Sequence, residues 1–162
     1  MDIIGKSPVP LPVLIVGKLA LLGSWIFFLA KLLGADVGQY ESRLARITGI
    51  ALFLIGFAMV IAAILQLGQS IAVGIPERDT DLKTRGLYAF TRNPIYLGAF
   101  VMCAGSCLYS INIVNVLLFA VAVTAHVVIV EREEEFLEQR FGRQWMEYRQ
   151  RVPRFIGIVR RG

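Results

Sequence analysis

The chain has 162 residues, of which 56% are hydrophobic, and its formal net charge is +5. Its mean hydropathy is +0.64, and its apolar residues cluster in long runs, which excludes an ordinary soluble domain. About 20 apolar residues cross a bilayer as a helix, whereas an open sheet cannot. The sequence therefore predicts an all-α integral membrane protein that forms a single membrane domain over residues 1–162. About four transmembrane helices are predicted, at approximately 12–33, 47–67, 94–110 and 112–130. They are followed by a cytoplasmic tail at 131–162.

The first two spans differ in what their polar and small residues suggest. Lys18 lies unusually deep in the first span; it either snorkels towards the interface, which is the commoner behaviour, or has a functional role. The second span carries Gly49, Gly56 and Ala63 at seven-residue intervals. A stripe of small residues lets helix backbones approach closely, so this face is predicted to pack against another helix.

The third span follows a long polar segment, Ser70–Arg92. Asn93 suits a helix N-cap and Pro94 suits the first helical position, so a helix is predicted to begin there. Its first turn leaves N–H groups unpaired at the positive end of the helix dipole, with Arg92 adjacent. We expect this spot to favour a carboxylate or phosphate; the alternative is an ordinary membrane-helix start with a snorkelling arginine.

The third and fourth spans are separated only by a short turn around Asn112. They are therefore predicted to form an antiparallel hairpin, which brings the start of the third span beside the end of the fourth. Acidic residues lie at that end, so Arg92 and Tyr96 are expected beside Glu133 and Glu134. Such a pocket suits a zwitterionic ligand with ribose hydroxyls; the alternative is an acidic cluster that pairs with nearby arginines.

The tail reads as an amphipathic helix over Glu131–Arg149 that lies along the membrane interface, with its arginines towards anionic lipid head groups. Its apolar residues recur at three- and four-residue spacing: Phe136, Leu137, Phe141, Trp145 and Tyr148. Lipid fits this tail better than nucleic acid, which we do not expect as a partner, and no obligate protein partner is indicated.

The basic residues predict the orientation in the membrane. With four spans, the side that holds both termini carries five basic residues ahead of the tail and eight tail arginines, against three basic residues on the other side. Both termini are therefore predicted to be cytoplasmic.

Two sequence blocks resemble one known family. Gly86-Leu87-Tyr88 followed by Arg92-Asn93-Pro94-Ile95-Tyr96-Leu97-Gly98 is similar to the G-x-Y…R-[HN]-P-x-Y-x-G signature of the isoprenylcysteine carboxyl methyltransferases, which group with the phospholipid methyltransferases. Glu133-Glu134-Glu135-Phe136-Leu137, Phe141-Gly142, Tyr148 and Arg151-Val152-Pro153 resemble the family's EE-x-x-L…FG-x-x-Y-x-x-Y…R-V-P block. Asn93 replaces a frequent histidine, and Trp145 replaces the first tyrosine after Phe-Gly.

The resemblance implies methyl transfer from S-adenosylmethionine to a lipophilic acceptor, either a carboxylate such as isoprenylcysteine or a lipid amine, at the cytoplasmic membrane interface. It implies that the tail helix covers the cofactor pocket, and that Arg92, Arg151 and Glu134 are catalytic. It also implies the cofactor-binding residues, with no metal site: Tyr88, Asn93, Pro94, Tyr96, Leu97, Gly98, Glu133 and Glu134.

Three alternatives remain open at this stage. An amine or phenol acceptor needs a general base, for which Glu134 and His126 are the candidates, although His126 is more simply a packed membrane histidine. The chain could instead be a membrane reductase of the sterol-reductase type that uses NAD(P)H. It could also be a non-enzymatic membrane scaffold whose basic tail binds lipid.

Overall fold

A computed structural model describes residues 9–67 and 82–159. The predicted polar segment Ser70–Arg92 is therefore described only from Leu82 onward. Four of the basic residues that predict the orientation lie outside these ranges: Lys6, Arg78, Arg160 and Arg161.

Five α-helices form the described part of the chain, together with a short 3-10 helix at Gly86–Ala89. Three helices are long and apolar enough to cross a membrane, and a fourth, Pro94–Ser110, is a shorter apolar helix. No strand occurs in the two described ranges, so the predicted all-α membrane fold is confirmed. The helices are α1 Leu11–Leu32, α2 Arg43–Leu67, α3 Pro94–Ser110, α4 Ile113–Phe141 and α5 Arg143–Arg151.

Glycines hold α2 and α3 together in the most extensive helix pair of the bundle. A Cβ atom added at Gly56 would lie 2.5 Å from the Gly98 carbonyl oxygen, and one added at Gly49 would lie 2.7 Å from the Gly105 oxygen. The two backbones therefore touch, as the small-residue stripe predicts. The other large contact joins α1 to α4, and α1 also packs on α3.

The turn between α3 and α4 confirms the predicted hairpin with almost no loop. Ile111 adopts a left-handed conformation with φ +32°, and the Asn112 side chain caps α4 by accepting a hydrogen bond from Val114 N at 2.8 Å. Nevertheless, α3 packs more extensively on α2 than on α4. The short connection determines the turn between α3 and α4, whereas the glycines of α2 and α3 determine that α3 packs most extensively on α2.

A polar group of side chains, which we call the neutral network, lies near this turn and consists of Ser24, Ser106, Ser110 and Asn115. Ser24 Oγ donates to Asn115 Oδ1 at 2.7 Å. Asn115 Nδ2 donates to Ser106 Oγ at 2.9 Å and to Ser110 Oγ at 2.8 Å. Ser106 Oγ donates to the Ser24 carbonyl at 2.5 Å. All four residues are fully buried, so these bonds fasten α1, α3 and α4 within the apolar bundle.

The prediction of one amphipathic tail helix over Glu131–Arg149 is wrong. Instead α4 continues without interruption through Glu131 to Phe141, and Gly142, with φ +50°, separates it from α5. The change from apolar to charged residues at Glu131 marks where α4 leaves the apolar layer, and nothing there breaks a helix. Its 29 residues extend about 43 Å, which exceeds the roughly 30 Å of a hydrocarbon core.

Candidate active site

Arg92 and Glu134 join the start of α3 to the end of α4. Arg92 Nε and Nη2 donate to Glu134 Oε1 at 3.0 and 2.9 Å. Arg154 Nε and Nη2 donate to the other oxygen, Oε2, at 3.2 and 3.1 Å. The side chains of Arg92 and Glu134 are only 7% and 5% exposed. We call Arg92, Glu134 and Arg154 the charged cluster. Arg92 and Glu134 lie side by side in it, as the predicted hairpin requires.

Asn93 lies at the N-cap position of α3, but its side chain does not cap the helix. Its Nδ2 donates to Glu134 Oε1 at 3.4 Å and to the Arg154 carbonyl at 3.2 Å. The positive end of α3 therefore has an anion beside it, as its dipole favours, and that anion is the protein's own Glu134 carboxylate.

Arg92 also fixes the end of the tail. Its Nη1 donates to the carbonyls of Arg149 at 3.0 Å and Val152 at 2.9 Å, and its backbone N–H donates to Pro153 at 3.0 Å. Carbonyls in the last turn of a helix lack partners within that helix, so Arg92 satisfies groups that α5 cannot. The sequence block around Arg92 and the block around Pro153 are therefore the two halves of one contact.

An apolar patch seats the tail beneath this contact, and its buried members are Trp145, Tyr148 and Val152. Tyr148 OH donates to the Tyr88 carbonyl at 2.6 Å, which ties α5 to the 3-10 helix. Burial raises the pKa of Tyr88 to about 12. Burial likewise raises the pKa of Tyr148, although the nearby Arg92 charge opposes the shift, so both phenols stay neutral at physiological pH.

Tyr96 and Glu133 form a second polar contact, next to the charged cluster. Tyr96 OH donates to Glu133 Oε1 at 2.8 Å. No residue of the described chain donates to the second oxygen, Oε2, so this carboxylate can still accept a hydrogen bond from a ligand. The Tyr96 ring packs 5.3 Å from the His126 ring. His126 is buried, and its Nδ1 donates to the Ala122 carbonyl at 2.8 Å.

The remaining predicted site residues have mainly packing contacts. Pro94 is fully buried at the first position of α3. The backbone N–H of Leu97, which is partly buried, donates to the Asn93 carbonyl at 3.0 Å. Gly98 lies against α2, where an added Cβ atom would be 2.8 Å from the Gly56 oxygen. These residues position the start of α3 rather than present polar atoms.

Arg151 lies apart from the charged cluster. It is exposed, and its Nε donates to the Glu147 carbonyl of its own helix at 3.1 Å. Arg154, which the sequence analysis did not select, occupies the place in the cluster instead. Arg154 follows Pro153 in irregular structure, where helical periodicity does not predict the direction of a side chain. The sequence offers one signal for it, a second arginine close to the Arg151-Val152-Pro153 motif. In the described ranges no group of His, Cys, Asp and Glu residues could hold a metal ion.

Comparison with known proteins gives consistent matches. A family model described as phospholipid methyltransferase matches residues 44–144. The chain is 31% identical over 164 residues to protein-S-isoprenylcysteine O-methyltransferase B of Arabidopsis thaliana, which covers 96% of this chain and 82% of that protein. It is 32% identical over 102 residues to the Schizosaccharomyces pombe protein-S-isoprenylcysteine O-methyltransferase, covering 60% of this chain and 43% of that protein.

A solved structure is also similar. A eukaryotic intramembrane Ras methyltransferase, isoprenylcysteine carboxyl methyltransferase, superposes with a TM-score of 0.60 and 26% sequence identity. The match covers 88% of this chain and 52% of that chain, so this chain spans about half the length of that protein. The match to the family model includes Arg92, Tyr96, Glu133 and Glu134, whereas Arg151 and Arg154 follow its end.

Proposed function

Because the chain belongs to the phospholipid methyltransferase family and is an integral membrane methyltransferase, we propose that it transfers a methyl group from S-adenosylmethionine to a prenylated cysteine carboxylate. We place the reaction at the cytoplasmic face of the membrane, with both termini on that side. The observation that supports this proposal most is the ion pair of Arg92 with Glu134, which connects the start of α3 to the end of α4.

Tyr96 and Glu133 are the residues that we assign first to the methyl donor. Glu133 is partly buried and accepts one hydrogen bond from the protein, so its second oxygen is available to a ribose hydroxyl. Acidic side chains hold ribose hydroxyls in the same way in dinucleotide-binding folds. Tyr88, Asn93, Pro94, Leu97 and Gly98 then shape the surrounding wall and hold the start of α3 in place.

Arg92 and Glu134 act in this proposal by closing the tail over the donor. S-adenosylmethionine, when bound, supplies an electrophilic methyl group on a sulfonium. The charged cluster fixes the tail against the ends of α3 and α4, which excludes water and holds the reacting groups in one orientation. Arg151, at the exposed edge, remains a proposed contact for the acceptor.

The bonding of Glu134 favours a carboxylate acceptor over a lipid amine. An amine or phenol must lose a proton to a base, whereas a carboxylate reacts without one. Five N–H groups donate to the two oxygens of Glu134, from Arg92, Asn93 and Arg154. Both oxygens of this carboxylate are already occupied by donors of the protein and do not face an incoming acceptor, so the chemistry that needs no base fits this site best.

The donor site can be tested with purified protein in detergent, methyl-labelled S-adenosylmethionine and an S-prenylated N-acetylcysteine. We expect labelled ester to form, and Glu133→Gln to raise the KM for the donor about tenfold, because a hydrogen bond to a charged group is lost. Glu135→Gln is the matched control, since Glu135 is exposed and, among the residues that the structure describes, pairs with Arg132 alone.

Other results would contradict the proposal. Binding of NADPH without binding of S-adenosylhomocysteine would favour a reductase. If neither ligand raises the unfolding temperature, a non-enzymatic membrane scaffold is favoured, because a ligand specific for the folded state must stabilise that state.

A further inference from the structure

Lys18 is a cation two turns inside a membrane helix. It lies seven residues after the start of α1, which corresponds to a depth of about 10 Å along the helix. It is exposed, and no carboxylate within residues 9–67 and 82–159 pairs with it. Ionisable residues at such positions are costly and commonly functional, unless the side chain snorkels to the interface.

Lys18 lies at the exposed edge of the buried face of α1, on the side of Leu21 and Trp25. These two residues lie three and seven positions further on, and both belong to an apolar cluster that includes Ala99 and Cys103 of α3 and Ala122 of α4. Deeper in the bundle, Ser106 Oγ donates to the carbonyl of Ser24, eighty-two residues earlier. The two helices run parallel, so the same offset places Lys18 level with Phe100.

Aromatic side chains lie at this level, next to the proposed donor residues. The Phe100 ring is 6.0 Å from the His126 ring and 5.5 Å from the Phe155 ring. The neighbouring residue of Lys18, Gly17, faces His126, because a Cβ atom added there would lie 3.0 Å from His126 Cε1.

We propose that Lys18 binds the anionic group of the acceptor and holds it between α1 and α3, beside Tyr96 and His126. The ammonium recognises a carboxylate, and the aromatic side chains accommodate the apolar part of the same molecule. This inference rests on the proposed methyl transfer, and it names the residue that recognises the charge of the acceptor.

The charge balance of the reaction determines what Lys18 can contribute. An oxygen of the carboxylate attacks the methyl carbon, an O–CH₃ bond forms, and the C–S bond breaks with its electron pair going to sulfur. The carboxylate and the sulfonium become a neutral ester and a neutral thioether, and no proton moves. Negative charge on the acceptor therefore decreases towards the transition state, so Lys18 stabilises the bound acceptor more than the transition state.

The Lys18→Gln variant should separate binding from chemistry. We expect the KM for an S-prenylated N-acetylcysteine to rise about ten- to hundredfold, with kcat unchanged or higher. Lys18→Arg should restore a low KM because it restores the cation. Lys31→Gln is the charge-matched control, since Lys31 lies at the opposite end of α1 and pairs with Glu41. Thermal unfolding of each variant shows whether it remains folded.

A binding measurement tests the same inference without turnover. In calorimetry with S-adenosylhomocysteine present, the wild-type protein should bind the S-prenylated carboxylate at least about tenfold more tightly than the matching carboxamide. Lys18→Gln should abolish this preference. An unchanged preference in Lys18→Gln would show that Lys18 only snorkels, and equal binding of both compounds by the wild type would also overturn the inference. Failure of the proposed function gives a different result: no labelled product and no binding of S-adenosylhomocysteine.

Discussion

The two ends of the helix bundle solve the problem of buried polar groups differently. The neutral network joins α1, α3 and α4 near the α3–α4 turn, and its amide and hydroxyls are fully buried. The charged cluster lies at the other end, where α3 starts, and binds the tail as well as the helices. Neutral groups can be satisfied inside an apolar bundle, whereas charges require paired partners near its edge. On the proposed function, the end with the neutral network supplies stability and the end with the charged cluster supplies activity.

The largest expected effect follows from Glu134→Ala in the charged cluster. The change leaves Arg92 buried without its carboxylate, which costs about 3–5 kcal/mol of folding free energy, and it releases the tail from the donor site. We expect methyl transfer to fall by more than about a hundredfold. Labelled-methyl assays and thermal unfolding in detergent measure the two effects.

Asn115→Ala in the neutral network is the matched change. It leaves the hydroxyls of Ser24, Ser106 and Ser110 without their amide partner, and should cost about 1–3 kcal/mol. Its kcat/KM should stay close to that of the wild type at a temperature where both are folded. A loss of activity as large as that of Glu134→Ala would remove the distinction between the two ends.

A smaller effect separates two neighbouring arginines. Arg154→Ala removes the two hydrogen bonds to Glu134 Oε2 and the ion pair with Glu131, so activity should fall about tenfold. Arg151→Ala removes an exposed contact within α5 and the proposed acceptor contact, which solvent screens at this exposed edge, so activity should fall only about two- to threefold. The reverse order of effects would contradict a cluster built on Arg154.

The smallest expected effect concerns the hydrogen bond from Tyr148 to the Tyr88 carbonyl. Tyr148→Phe should lower stability by about 1 kcal/mol. Burial raises the pKa of both phenols, that of Tyr88 to about 12. The folded protein therefore keeps these protons where the unfolded chain, with tyrosines near pKa 10, begins to lose them.

The sign of the resulting pH dependence follows from this difference. Below about pH 10 the stabilising contribution of these tyrosines should be fully present and independent of pH, and it should be lost as the pH rises towards about 12. Tyr148→Phe should show a shallower fall, which thermal unfolding in alkaline buffers measures. An identical slope in both proteins would contradict the buried environment of Tyr148.

Local sequence rules predicted the start of α3, the hairpin turn and the meeting of Arg92 with Glu134. Each depends on near neighbours in the chain: Asn93-Pro94 sets the helix start, and the short segment at Asn112 leaves no room for a loop. Hydrophobicity predicts the end of α4 wrongly, because the loss of apolar residues at Glu131 ends the membrane span and not the helix. Only Gly142, with its positive φ, ends α4.

Contacts between distant segments could not be predicted in the same way. The pairing of α2 with α3 depends on glycines at matching heights in both helices, and a single stripe in α2 does not identify its partner. Arg154 follows Pro153 in irregular structure, where no periodicity fixes the direction of a side chain. Only the contact of the tail with α3 and α4 distinguishes Arg154, which binds Glu134, from Arg151, which does not.

Calorimetry with S-adenosylhomocysteine tests the central claim most directly, because it measures whether the charged cluster supports donor binding without any assumption about the acceptor. The wild-type protein and Asn115→Ala should bind with similar affinity, and Glu134→Ala should bind at least about tenfold more weakly. Absence of binding to the wild type, or equal binding to Glu134→Ala, would show that the charged cluster does not close the tail over a donor site.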